Sequence, residues 1–139
     1  GKELRRFEGH SGPVTSVAVS RDGKQVLSTS DDGTARLWDI NGRVRQTFQG
    51  HVGPVRCAAL SSDGKNVLTG GSDATVRLWD SATGKEITRL GEHADAIVAV
   101  AFTPDCTAAM SCTRAAVVRV FSIEGKTTTG DGRQSSPAR

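Results

Sequence analysis

The 139-residue sequence has no tyrosine, one methionine, two tryptophans, four phenylalanines, four prolines and three cysteines. So few aromatic side chains cannot build the row of stacking platforms that single-stranded nucleic acid requires. The cysteines, at positions 57, 106 and 112, form no CxxC pair and are odd in number. That pattern fits neither a disulfide framework nor a structural zinc site, even with Asp105 beside Cys106, and a reducing compartment is expected. No apolar run reaches the ~18 residues of a membrane-spanning helix, and the start (Gly1, Lys2, Glu3) is too polar for a signal-peptide core. A cytoplasmic protein with no membrane association is the expectation. Lys and Arg number 18 against 15 Asp and Glu, a net charge of +3, but the signs are interleaved, with Arg5-Arg6 the only adjacent basic pair. A nucleic-acid partner is therefore not expected.

What is abundant is glycine, 16 residues, and much of it recurs on a fixed period. His10, His51 and His93 stand 41 and 42 residues apart, and Trp38, Trp79 and Phe121 each follow their histidine by 28. His10 to Asp39 matches His51 to Asp80 at 17 of 30 positions, whereas His93 to Ser122 matches the second unit at 6 of 30. A period of this length makes each unit one supersecondary motif that buries its faces against its neighbours. Within a unit, short β-prone runs alternate with turn residues: Val14 to Ser20, then Asp22-Gly23, Gln25 to Ser30, Asp31-Asp32-Gly33, Thr34 to Asp39, Asn41-Gly42 and Arg43 to Phe48. Glycine supplies the positive φ that such hairpin turns need. Helical periodicity is absent, so the expected class is all-β, about three four-stranded antiparallel sheets.

The pieces Gly-His, Ser-x-Asp-Gly and Asp-x-Thr-x-Arg-Leu-Trp-Asp, repeated on this period, resemble the WD40 repeat, and the linker Ala82-Thr83-Gly84-Lys85-Glu86 resembles that of regular, bacterial-type members. The resemblance implies β-propeller blades over residues 1–123, divided as 1–40, 41–81 and 82–123, with two strong copies and one drifted copy. Residues 1–7 resemble 42–48 and 84–90, which assigns them to the outer strand of a preceding blade. The polar stretch 124–139 is expected to be a disordered tail. Three blades do not close a ring, since propellers have about four to eight. The chain is therefore expected to be a segment of a longer propeller or a unit that assembles from copies, an incomplete ring in either case.

The resemblance also implies a buried hydrogen-bonded network in each unit: His10, Ser28, Asp32 and Trp38, then His51, Thr69, Asp73 and Trp79. His93 and Ser111 remain in the third, where Ala115 and Phe121 replace Asp and Trp. A buried imidazole and indole N–H need polar partners, which a hydroxyl and a carboxylate provide. Ser, His and Asp also compose a hydrolase triad, but a catalytic site is single, whereas this set recurs with the fold period and includes an indole. The structural reading is favoured, and no catalytic, metal or cofactor-binding residue is assigned. With its partners gone, His93 is expected to be more exposed, and Phe121→Trp alone is expected to give no gain because Ala115 leaves the indole short of a partner. Cys106, standing where Gly23 and Gly64 make their turns, is expected to strain its hairpin.

The resemblance places a partner-binding face on the loops before the first strand and between the second and third strands of each blade. Pro13, Thr15 and Asp31 occupy it in the first unit, Pro54, Arg56 and Ser72 in the second, and Ala96, Val98 and Arg114 in the third. These positions vary while the framework repeats, as on a binding surface carried by a constant scaffold. The function so implied is a non-catalytic protein-interaction scaffold, with a protein or peptide bearing both charge signs as partner. The alternative is a docking or sensing module of a larger signalling enzyme, such as a bacterial-type protein kinase.

Overall fold

The computed structural model describes residues 1–126. Eleven strands and no helix occur among them, in three antiparallel sheets whose strand order follows the chain. The first sheet comprises β1 (Val14–Val19), β2 (Gln25–Ser30), β3 (Thr34–Asp39) and β4 (Val44–Gln49). The second comprises β5 (Val55–Leu60), β6 (Asn66–Gly71), β7 (Val76–Asp80) and β8 (Glu86–Arg89). The third has three strands, β9 (Ile97–Phe102), β10 (Ala108–Thr113) and β11 (Val118–Ser122).

The same register recurs between the second and third strands of each sheet: Val26 faces Trp38, Val67 faces Trp79 and Ala109 faces Phe121. Every inner strand enters its sheet through an irregularity, between Val14 and Ser16, between Val55 and Cys57, and opposite the Cys112–Thr113 step next to Ile97. A bulge leaves one residue unpaired and re-aims its side chain. Thr15, Arg56 and Val98 are the residues so placed.

Alternation along each strand sends one face to each neighbouring blade. Leu27, Ala35, Leu37 and Phe48 of the first blade pack on Val67 and Trp79 of the second. Leu68, Val76, Leu78 and Leu90 of the second pack on Ile97, Ala109 and Ile123 of the third. Among the described residues the two outermost faces lack such cover: Val17 and Val19 are 68% and 63% exposed on the first blade, Val118 and Val120 65% each on the third.

Two expectations need correction. Residues 1–12 form no strand, and the described residues include no third strand of a preceding blade for them to pair with. They nevertheless follow the outer-strand path. The Phe7 ring lies edge-on to Trp38 at 5.9 Å as Phe48 lies against Trp79 at 5.6 Å, and the Arg6 carbonyl passes Gly42 as the Thr47 carbonyl passes Gly84. Of the expected tail, residues 124–126 form a turn closed by Lys126 N–H donating to the Ile123 carbonyl, and the remainder lies outside the described residues. Cys106 does take the left-handed conformation, φ 62°, and Ala74 and Ala116 join it at φ 64° and 65°. For residues other than glycine, this costs about 1–2 kcal/mol each.

Candidate functional site

Ser28 sits on β2 facing away from the second blade, beneath the Trp38 ring of the neighbouring strand. The indole Nε1 donates to Ser28 Oγ at 2.8 Å, and Ser28 Oγ lies 2.7 Å from His10 Nε2. His10 Nδ1 in turn lies 2.9 Å from Asp32 Oδ2. One proton arrangement satisfies all four groups. The indole donates to the hydroxyl, the hydroxyl to Nε2, and the Nδ1–H to the carboxylate. The second blade repeats this chain: Trp79 to Thr69 at 2.8 Å, Thr69 to His51 at 2.7 Å and His51 to Asp73 at 3.1 Å.

A further member escaped the sequence assignment, although the Asp-x-Thr spacing displays it. Thr34 donates from Oγ1 to Asp32 Oδ1 at 2.7 Å and from its N–H at 2.9 Å, and Thr75 does the same for Asp73 at 2.7 and 3.1 Å. The N–H of the residue after each histidine completes the cradle, Ser11 to Asp32 at 3.1 Å and Val52 to Asp73 at 3.0 Å. Burial pushes both carboxyls up, but these donors outweigh it. Asp73 ends at about 2, and Asp32 well below the usual carboxylate range. Burial likewise lowers His51, opposed in part by Asp73. The carboxylates are thus fixed anions that clamp the loop before each first strand to the turn between the second and third. The Ser28 and Thr69 hydroxyls, both buried, are already engaged by indole and imidazole.

In the third blade only His93 Nε2 to Ser111 Oγ, 3.0 Å, survives. Phe121 has no ring N–H, Ala115 no carboxylate, and Val117 no hydroxyl where Thr34 and Thr75 stand. His93 is half-buried, in the same class as His10 and His51. Phe121 packs against its ring at 5.7 Å and Arg119 covers Phe121 at 4.9 Å, leaving Nδ1 buried with no hydrogen-bond partner. Burial, then the Arg119 charge, lowers its pKa.

The loop face is built over this framework. In every blade the turn between second and third strands is tied to the segment before the first: Asp31 N–H to the Pro13 carbonyl at 2.9 Å, Ser72 to Pro54 at 2.9 Å, and Arg114 to Ala96 at 3.0 Å. These bonds bring the three sets of sequence-assigned residues to the same end of the molecule. Arg56 Nε donates to Ser72 Oγ at 2.8 Å, and its Nη1 approaches Asp31 of the first blade at 3.6 Å. Arg56, Ser72, Ala96, Val98 and Arg114 line one depression of about 870 Å³ between the second and third blades. Pro13, Thr15, Asp31 and Pro54 are not among its lining residues. Thr15 is turned into the seam between blades, where its hydroxyl donates to the Val55 carbonyl at 2.5 Å. Asp95, which the sequence reading did not single out, also lines the depression and lies 3.8 Å from Arg114.

The family model described as "WD domain, G-beta repeat" matches residues 1–39 and 42–80, more than half of the sequence. The chain belongs to the WD40 repeat family. Its three sheets are WD40 blades, and the third blade lies beyond the matched segments. Among curated relatives, the nuclear distribution protein PAC1 of Arthroderma benhamiae is 55% identical over 38 residues, 27% of this chain and 8% of that protein. The target of rapamycin complex subunit LST8 of Saccharomyces cerevisiae is 47% identical over 34 residues, 24% of this chain and 11% of its own length. The human serine-threonine kinase receptor-associated protein is 50% identical over 38 residues, 27% and 11% respectively. The WD40 match thus spans about a tenth of the length of these relatives. All three are eukaryotic, and the bacterial-type qualification stands on the Ala82–Glu86 linker alone.

Proposed function

We propose that this chain is a non-catalytic protein-interaction scaffold, a segment of a larger WD40 propeller whose loop face docks a protein or peptide. The observation that carries this reading is the division of labour between the two layers. His, Ser or Thr, Asp and Trp repeat beneath the face with nearly constant distances, while Asp31, Arg56, Ser72, Val98 and Arg114 above them differ from blade to blade. A rigid framework that presents variable side chains suits recognition. Asp31, Arg56, Asp95 and Arg114 make the face mixed in sign, which suits a partner carrying both charges. Two relatives are named as a complex subunit and a receptor-associated protein, in keeping with an assembly role. The uncovered Val17/Val19 and Val118/Val120 faces are the places where further blades, in the same polypeptide or in a second copy, would continue the ring.

Charge reversal tests the docking face. Asp31→Arg, Arg56→Glu and Arg114→Glu, compared with the unaltered chain for the proteins each retains by affinity capture, should lose partners while keeping the thermal melt. An identical set of retained proteins across the series would remove the reading.

A further inference from the structure

The third blade keeps the place of the missing carboxylate. In the first two blades the turn after the second strand closes through Gly33 N–H to the Ser30 carbonyl at 3.2 Å and Ala74 N–H to the Gly71 carbonyl at 3.2 Å. The third closes in the same way, Ala116 to Thr113 at 3.0 Å. The following φ values, 86°, 64° and 65°, agree as well. Ala115 therefore occupies the backbone position of Asp32 and Asp73, with a methyl where they carry a carboxylate. On the other side of the gap, His93 is held by Ser111 as His10 and His51 are held by Ser28 and Thr69. Its Nδ1, the atom that faces the carboxylate in the other two blades, is the one buried without a partner.

The remaining donors are also in place. Ala94 N–H stands where Ser11 and Val52 N–H donate to the carboxylate. Val117 N–H, the counterpart of the Thr34 and Thr75 donors, has only a long contact of 3.4 Å with Thr113 Oγ1. Arg119 is the counterpart of Arg77, whose Nη2 lies 3.5 Å from Asp73 Oδ2. Arg119 instead lies over Phe121 and donates to the Glu92 carbonyl. Arg114 adds a second cation, balanced by Asp95 at 3.8 Å. Ala94 and Arg114, the chain neighbours of His93 and Ala115, line the loop-face depression together with Asp95, and Ala115 is exposed, so the residues that flank the gap face the surface where a partner would approach.

We propose that this gap is a carboxylate-binding site, filled by an Asp or Glu side chain or a C-terminal carboxylate of a docking protein, which completes the third blade's His93–Ser111 pair from outside the chain. The bound carboxylate accepts from His93 Nδ1–H and the Ala94 N–H. Its charge faces Arg119 and Arg114 in a partly desolvated place, where a charge-assisted hydrogen bond is stronger than a neutral one. The source of the carboxylate rests on the proposed protein-binding role of this face, whereas the site itself does not.

Acetate is the probe. In the isotopically labelled 139-residue chain at neutral pH, the imidazole nitrogens of all three histidines are followed by NMR as sodium acetate is added, with sodium chloride at equal ionic strength as the control. The His93 Nδ1 signal should shift saturably, with half-saturation in the millimolar range suited to so small a ligand, while His10 and His51, already paired with Asp32 and Asp73, stay unchanged. Ala115→Asp should give His93 the signature of the other two histidines without acetate and abolish its response. No response beyond chloride, an equal response at all three histidines, or a response that persists in Ala115→Asp would overturn the proposal. A His93 response alongside unchanged partner capture in the charge-reversal series would retain the site and remove the protein-docking reading, and the converse would remove the site alone.

Discussion

Trp38 Nε1 donates to Ser28 Oγ at 2.8 Å, so the hydroxyl of the second strand, and not the carboxylate of the following turn, satisfies the buried indole. Thr69 does the same for Trp79. This corrects the expectation that Ala115 would leave a third-blade indole unpaired, since Ser111 is present, buried and bonded to His93 just as its counterparts are.

Phe121→Trp alone should therefore stabilise the chain. The added indole N–H gains Ser111 Oγ as acceptor, worth about 1 kcal/mol net for a buried hydrogen bond, and Gly91, the glycine beside the Phe121 ring, presents no side chain to it. Urea titration should show a higher midpoint with an unchanged slope. A lower midpoint would mean that the third blade has repacked too far around phenylalanine to take the larger ring.

The period, the turn residues and the His, Ser/Thr, Asp and Trp set were legible because each depends on residues within one 41- or 42-residue unit. What escaped the sequence depends on contacts between units or on which atom meets which. Thr15 reads as a loop-face residue, yet its hydroxyl serves the seam with Val55. Residues 1–7 carry the outer-strand pattern, yet a strand also needs a neighbour to pair with. The choice between Ser and Asp as the indole's acceptor is three-dimensional, because both stand at fixed spacings from the Trp.

Acidification should destabilise the fold in two stages. A histidine whose folded pKa lies below its ordinary 6.5, as at His51 and His93, binds a proton more readily when unfolded, so stability falls as pH drops below about 6.5. A carboxyl whose folded pKa is depressed gives stability that is full above its unfolded value, 3.8, and is lost as pH falls through the folded one. For Asp73 that loss lies between about pH 4 and its folded value of about 2, and for Asp32 it extends lower. Melting temperature against pH should show both declines, and Asp73→Asn should flatten the lower one. An acid limb unaltered by that substitution would place the acid-sensitive carboxylates elsewhere.

Cys106→Gly should raise stability. Cys106 holds φ 62° in a turn that Gly23 and Gly64 make at φ 72° and 73° without a side chain. Relief of the left-handed conformation, about 1–2 kcal/mol, outweighs the loss of a half-buried thiol and of its 3.1 Å contact with Ser62 Oγ. The added freedom of glycine in the unfolded chain, about 0.5–1 kcal/mol, reduces the gain to less than about 1.5 kcal/mol. Thermal denaturation under reducing conditions measures it, and a loss of stability would mean that the thiol's contacts matter more than the backbone strain.

The two uncovered sheet faces are the unmatched halves of an interface that the chain already makes twice. By the repeat offsets, Val17 and Val19 are the counterparts of Ala58 and Leu60, which pack against the first blade, and Val118 and Val120 are the counterparts of Val76 and Leu78, buried against the third. Contact between copies through these faces is head-to-tail, and nothing in one contact blocks the next, so the chain should form rings or open polymers, not a simple two-fold dimer. Light scattering after size exclusion should show a mass above the monomer that rises with concentration. A Val17→Lys/Val19→Lys variant blocks one face and a Val118→Lys/Val120→Lys variant the other, and each alone should be monomeric. Mixed, they retain one good face apiece and should give a heterodimer that grows no further. Higher assemblies in that mixture, or self-association of either variant alone, would show that the copies meet through some other surface.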